Sequence, residues 1–277
     1  MLKLSALIAG LLLLAPVAGA AQLDGEEVVD IELILAVDVS RSMTPRELEI
    51  QRRGYAAALT SDEVVRALTS GPNQQIALTY VEWAGVQLQR TIVDWTLIRS
   101  LDDAEKVART LTIQLSNNLR RTSISAALDH TVRLFDDNGF RGLRKVIDIS
   151  GDGPNNMGRA VTSARDEALA RGVVINGLPL MTREGMGMMW HLDDLDLYYA
   201  NCVIGGPGAF VIPVRSWAEF APAIQRKLVL ELVWERPRSL PTTVPEVLPA
   251  RFRGQTAQGY DCLIGEKIWD EIMGNWN

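Results

Sequence analysis

Two periods of apolar and polar positions alternate along the chain. Ile31-Glu32-Leu33-Ile34-Leu35-Ala36-Val37 is a short, nearly continuous apolar run rich in branched residues, and it reads as a strand buried on both faces. Lys145 to Ser150, Val173 to Leu180 and Ala209 to Val214 read the same way. Between them the spacing changes to three and four. Asp102 to Leu115 places Val107, Leu111 and Leu115 on one helical face, and Ser123 to Phe135 does so with Ile124, Leu128, Val132 and Phe135. Thr44, Pro45 and Glu47 are an N-cap, a first-turn proline and a capping-box acid, so a helix is predicted from Pro45 to about Leu59. Further helices are predicted over Arg159 to Ala170, ending at Gly172, near Leu192 to Tyr199, and from Trp217, capped by Ser216, to about Trp234. Gln75 to Trp83 and Gln87 to Ile98 flank Ala84-Gly85 and predict a hairpin.

Strands alternating with helices over residues 30–234 predict an α/β domain. Its sheet is doubly wound and mostly parallel, with helices on both faces and the hairpin adding one antiparallel edge strand. After Trp234 the pattern stops. Pro237, Pro241, Pro245 and Pro249 recur every four residues, so 235–277 reads as an extended, proline-rich tail packed on the domain.

The N-terminus carries an address. Lys3, a nearly all-apolar run from Leu4 to Val17, and Ala18-Gly19-Ala20 form the three parts of a secretory signal peptide over residues 1–20, followed by a segment 21–29. The expectation is a secreted or periplasmic protein with no membrane span after cleavage; the alternative is an uncleaved anchor. Export changes the reading of Cys202 and Cys262, the only two cysteines: an oxidising compartment permits a bridge between them, against the alternative of two buried thiols.

With 47% apolar and 22% charged residues the chain is an ordinary globular one, which excludes disorder as a whole-chain description. A net charge of -6 and the lack of a dense Lys/Arg stripe argue against nucleic acid as a partner.

In an open α/β sheet, ligands bind at the carboxyl ends of the strands. The first strand ends in Asp38-Val39-Ser40-Arg41-Ser42, which puts one carboxylate and two hydroxyls at i, i+2 and i+4, on one side of an extended segment. These are donors for a hard cation. The plain alternative is a helix-capping loop rich in serine. Two more junctions bear oxygen: Thr122, just before the helix from Ser123, and Asp152, in Ser150-Gly151-Asp152-Gly153 just after a strand.

Taken together, these three segments resemble the von Willebrand factor type A domain over residues 30–234. Its metal-ion-dependent adhesion site uses an Asp-x-Ser-x-Ser loop, a Thr ahead of a helix that ends in Ala-Leu (here Ala127-Leu128), and an Asp-Gly after a central strand. More narrowly, the chain resembles an uncharacterised group of exported bacterial proteins with this domain, through Tyr80-Val81-Glu82-Trp83, Ser150-Gly151-Asp152-Gly153-Pro154-Asn155-Asn156 and Gly205-Gly206-Pro207-Gly208. The resemblance implies a Rossmann-like fold in which Ser40, Ser42 and Thr122 donate hydroxyl oxygens to Mg²⁺ (or Mn²⁺ or Ca²⁺). Asp38 and Asp152 hold the ion directly or through water, and one position stays open for an exposed carboxylate of a protein partner. Arg41 and Arg121 stand where the family often has glycine. Both are candidates for the rim, with Asn155 and with Glu82, a carboxylate ending an apolar strand that either lines the ligand face or pairs with an arginine.

Other chemistries fit less well. A haloacid-dehalogenase-type phosphatase needs a second Asp where Ser40 stands. An EF-hand reading of Asp148, Ser150, Asp152 and Gly153 meets Arg159 where Glu is required. His130 and His191 are the only histidines, too few with two cysteines for a zinc site, and Asp193, Asp194 and Asp196 read as a solvated face. No nucleophile–base pair stands out, so no catalysis is expected. The readings left open are a metal-assisted hydrolase drawing on Glu82 or Asp152 as base, and a scaffold with an empty site.

Overall fold

A computed structural model describes residues 25–113, 121–182, 192–233, 248–249 and 259–274. Residues 1–24, where the signal peptide is expected, Leu115, most of the proline-rich stretch and residues 183–191, His191 among them, lie outside the described residues.

The central strand, β1 (Glu27–Asp38), is buried from Val29 onward, which explains its unbroken apolar run. Helices α1 (Pro45–Leu59) and α2 (Asp62–Leu68) carry the chain to β2 (Ile76–Trp83), which lies parallel to β1 with Asp38 opposite Trp83. The predicted hairpin follows: β3 (Gln89–Ile98) runs antiparallel to β2 at the sheet edge. After α3 (Leu101–Ile113) and α4 (Ile124–Thr131) the chain returns to the other side of β1 as β4 (Phe140–Gly151). Then come α5 (Val161–Ala170), β5 (Val173–Pro179), the single turn α6 (Leu195–Tyr198), β6 (Phe210–Val211), α7 (Trp217–Leu232), β7 (Leu248–Pro249) and α8 (Ile264–Gly274). The strand order is β3-β2-β1-β4-β5-β6-β7. No helix among the described residues is long and apolar enough to cross a membrane.

Alternation along β1 divides the core. Leu33, Leu35 and Val37 pack with Tyr55, Leu59, Tyr80, Phe220 and Leu228 beneath α1 and α7. Ile34 and Ala36 pack with Trp83, Leu128, Ile149, Tyr198 and Tyr199 on the opposite face. Because β1 has β2 on one side and β4 on the other, the strand order reverses at β1, and the carboxyl ends of β1 and β4 are where an open sheet of this kind binds ligands.

Several boundaries differ from expectation. β4 begins at Phe140 rather than Lys145, since its first residues pair with β1 at the exposed end of the sheet. The last predicted strand shrinks to Phe210–Val211, with Val214 rejoining β5 by an isolated bridge to Leu180. The tail is not extended throughout: α8 is helical.

One buried ionic group holds α7 to the sheet. Lys227, fully buried, places Nζ 2.5 Å from both Asp148 Oδ1 on β4 and Glu231 Oε1 one turn on, and Asn176 Nδ2 donates to Glu231 Oε1 at 2.9 Å. Burial, and next the charge of Glu231, push Asp148 up to about 7, with Lys227 opposing them. A carboxyl whose folded value exceeds its unfolded one binds protons more tightly in the native state. Its contribution is therefore complete below about pH 4 and lost as pH rises through about 7. Asp148→Asn should abolish that decline and raise stability at pH 8, by at most about 4 kcal/mol. Urea unfolding of both proteins at pH 5 and pH 8 checks this; parallel profiles would refute it.

Candidate metal centre

Asp38 is the last residue of β1, so the sheet delivers its carboxylate to the switch point at the strand ends. The chain then turns: Ser40 N donates to Asp38 Oδ1 at 2.7 Å, and Met43 N donates to Ser40 O at 3.1 Å. The capping box predicted for α1 is present, with Thr44 and Glu47 each serving the other's backbone N–H. From the same helix, Gln51 Nε2 donates to Asp38 O at 3.2 Å and braces the loop from below. The hydroxyls of Ser40 and Ser42 lie 2.9 Å apart, and Ser42 Oγ donates to Asp152 Oδ1 at 2.8 Å. Four predicted oxygen donors thus form one connected string across the ends of β1 and β4. Thr122 joins through backbone. Its N donates to Asn156 Oδ1 at 3.1 Å and its O accepts from Asn156 N at 3.0 Å, which ties it to the loop of Asp152.

Asp38 Oδ2 is buried and has no hydrogen-bond partner among the described residues. Burial, and next the charge of Asp152, hold this carboxyl well above the usual carboxylate range. Burial, with Glu47 a further charge against ionisation, raises Asp152 to about 6, although the Ser42 hydrogen bond opposes it. Two carboxylates pressed together with an orphaned oxygen and neutral hydroxyls form a set that a hard divalent cation fits, since it supplies the missing charge and takes oxygen ligands. Among the described residues no group of three or more His, Cys, Asp or Glu is placed to hold a metal, so any ion here relies on hydroxyls and water.

The rim residues fare differently. Arg41 is exposed on the loop itself. Glu82 is on the other face of the sheet: it lies opposite Val37, which packs beneath α1, and its carboxylate is held by Arg52 of α1 and by Arg90 at 2.8 Å. Of its two expected roles, the arginine pairing is the one present, which takes it off the rim and engages both carboxylate oxygens. Asn155 is fully buried and structural. Its Oδ1 accepts from Ser125 N at 3.0 Å, its N donates to Tyr198 Oη at 3.1 Å, and its Nδ2 donates to Glu266 Oε1 at 2.7 Å. Arg121 stacks on Trp269 of α8, with Cζ 4.3 Å from the ring centroid. Cys202 and Cys262 are bonded, with Cα atoms 5.5 Å apart.

Three nearby residues escaped the sequence reading. Glu47 bears on Asp152 from α1, where its capping motif disguised it. Tyr199 is fully buried and its hydroxyl has no partner among the described residues. It opens a π-helical turn, Tyr199–Val203, that no spacing rule announces. Gly151 lies between Tyr199 and Asp38: a Cβ there would lie 2.8 Å from Tyr199 Oη, closer than side-chain carbons tolerate, and 3.0 Å from Asp38 Oδ2, a tight contact. The Asp-Gly and Ser-Gly pairs flanking Asp152 were visible; the packing that demands glycine at 151 was not.

The structure is similar to the pilus adhesin SpaC from Lactobacillus rhamnosus GG, with 11% identity and a TM-score of 0.53 over 75% of this chain and 31% of the adhesin. It is also similar to proximal thread matrix protein 1 from the mussel byssus, solved with a zinc-occupied MIDAS motif, with 16% identity and a TM-score of 0.51 over 75% of this chain and 48% of that one. The chain spans less than half the length of either, and identities this low speak to fold alone. No curated protein matches the chain. The fold is that of the von Willebrand factor type A domain. Residues 28–236 match the family described as "Protein of unknown function (DUF1194)", and the chain belongs to that family.

Proposed function

We propose that this is an exported binding module that takes a divalent cation, Mg²⁺ foremost, at Asp38, Ser40, Ser42, Thr122 and Asp152, and through it engages an acidic group on a protein partner. The observation that carries the reading is the orphaned, buried Asp38 Oδ2 at the head of the Ser40–Ser42–Asp152 string. A mussel protein of the same fold holds zinc in the corresponding type of motif, which supports a cation here without naming it.

The chemistry follows from the donor set. Neutral hydroxyls leave a dication under-neutralised, and a carboxylate arriving at the open position gains more than it would at a carboxylate-rich site. Ser42 and Asp152 are partly exposed while Asp38 and Ser40 are buried, so the string opens outward at the Ser42 end. Arg41 beside it adds positive charge that favours an acidic partner.

Affinity capture from the exported fraction tests this. Partners should be retained in Mg²⁺, released by chelator, and absent with the Ser40→Ala/Ser42→Ala protein. Partners that survive chelation would overturn the metal-dependent mode.

A further inference from the structure

The helix α8 lies beyond the segment that matches the family, yet it touches the loops that carry the candidate site. The segment from Cys262 to Trp269 reaches two of them, those of Thr122 and Asp152, and the π-helical turn beside them. Cys262, just before the helix, is bonded to Cys202 in the π-helical turn that begins with Tyr199. Gly265 meets the backbone of Asn155 so closely that a Cβ there would lie 2.1 Å from the Asn155 carbonyl oxygen, and Glu266 Oε1 accepts from Asn155 Nδ2. Trp269, one turn on and on the same helical face, carries the guanidinium of Arg121.

The contacted residues are neighbours of the proposed ligands. Arg121 immediately precedes Thr122, and Asn155 is three residues past Asp152. Arg121 adopts a φ of 78°, a left-handed conformation that disfavours residues with a Cβ, and the Trp269 stack helps to hold it there. Asn155 in turn joins Ser125 on α4 and Tyr198 ahead of the π-helical turn. Tyr260 packs against Tyr198, with centroids 6.2 Å apart, and extends the same seam.

We infer that α8 is a disulfide-held clamp that sets the spacing of the Thr122 and Asp152 loops, so that cation affinity is coupled to the Cys202–Cys262 bond. Cys262, Gly265, Glu266 and Trp269 are positioning residues that act through Arg121 and Asn155. The inference rests on the metal-site reading above. Coupling of this kind is reciprocal: whatever factor the disulfide contributes to Mg²⁺ affinity, Mg²⁺ contributes to the disulfide's resistance to reduction.

Calorimetric titration with Mg²⁺, on the full mature chain, compares the oxidised protein with Cys202→Ser/Cys262→Ser and with Trp269→Ala, which keeps the bond. Both variants should bind about tenfold more weakly. In parallel, the unmodified protein is equilibrated with glutathione with and without saturating Mg²⁺; the ion should shift the exchange about tenfold toward the disulfide. That readout needs no variant, and a helix that merely adds stability at a distance would not move it. Equal Mg²⁺ affinity in all three proteins, or glutathione exchange indifferent to the ion, overturns the clamp and leaves the site standing. A titration silent even with the oxidised protein overturns both.

Discussion

Lys227→Met should destabilise the protein by about 3–5 kcal/mol, the usual result of removing one member of a buried ionic group. Lys227 is fully buried on α7 and is the cation between Asp148 and Glu231. Without it, two buried carboxyls remain in the core, with the Asn176 hydrogen bond supporting Glu231 alone. Asp148 is already raised to about 7, so at pH 5 it takes a proton readily and softens the loss, while at pH 8 ionising it costs the most. The destabilisation should therefore grow with pH. Replacing the whole set by neutral groups of similar shape (Lys227→Met, Asp148→Asn and Glu231→Gln) should recover most of it, because the loss comes from unpaired charge rather than from a missing contact. Urea unfolding at both pH values measures each variant. A Lys227→Met loss under about 1 kcal/mol would mean that water reaches the cluster.

That cluster marks a limit of sequence reading. β1 was legible because a strand buried on both faces has no polar alternation to hide it, and α1 because Thr44, Pro45 and Glu47 state its start in local chemistry. The Asp38, Ser40 and Ser42 loop was legible because it follows a buried strand, where an open sheet binds ligands, and Asp152 was joined to it by the resemblance to the von Willebrand factor type A site. What failed depended on partners remote in sequence. Glu82 was visible as a carboxylate with an arginine among its expected partners, but not that the arginine is Arg52, 30 residues away on α1. Lys227 falls within the predicted helix from Trp217, but nothing in the spacing points to its partner Asp148 on β4. α2, two turns capped by Ser61, is too short to show a period. The helicity of α8 was hidden by the prolines ahead of it, whereas its attachment to the domain was legible in the Cys202 and Cys262 pair.

Asp38→Asn should uncouple stability from divalent cations while making the metal-free protein more stable. In the native fold without an ion, the Asp38 carboxylate is buried, repelled by Asp152 and left with Oδ2 unpartnered among the described residues. An amide of the same shape carries no charge to desolvate and keeps an oxygen able to accept from Ser40 N in the place of Oδ1. In the unaltered protein an ion bound at about 100 times its Kd adds about 2.7 kcal/mol to stability, and that increment should vanish in the variant. The two effects have opposite signs, which separates them from generic damage: a merely disrupted loop would melt lower with or without the ion. Thermal melts in chelator and in saturating Mg²⁺ give all four values. The expected pattern is a higher Tm for the variant in chelator and no further rise in Mg²⁺. A variant that still gains the full Mg²⁺ shift would show that the ion binds elsewhere, and Asp38 would then be a strained core carboxyl with no part in binding.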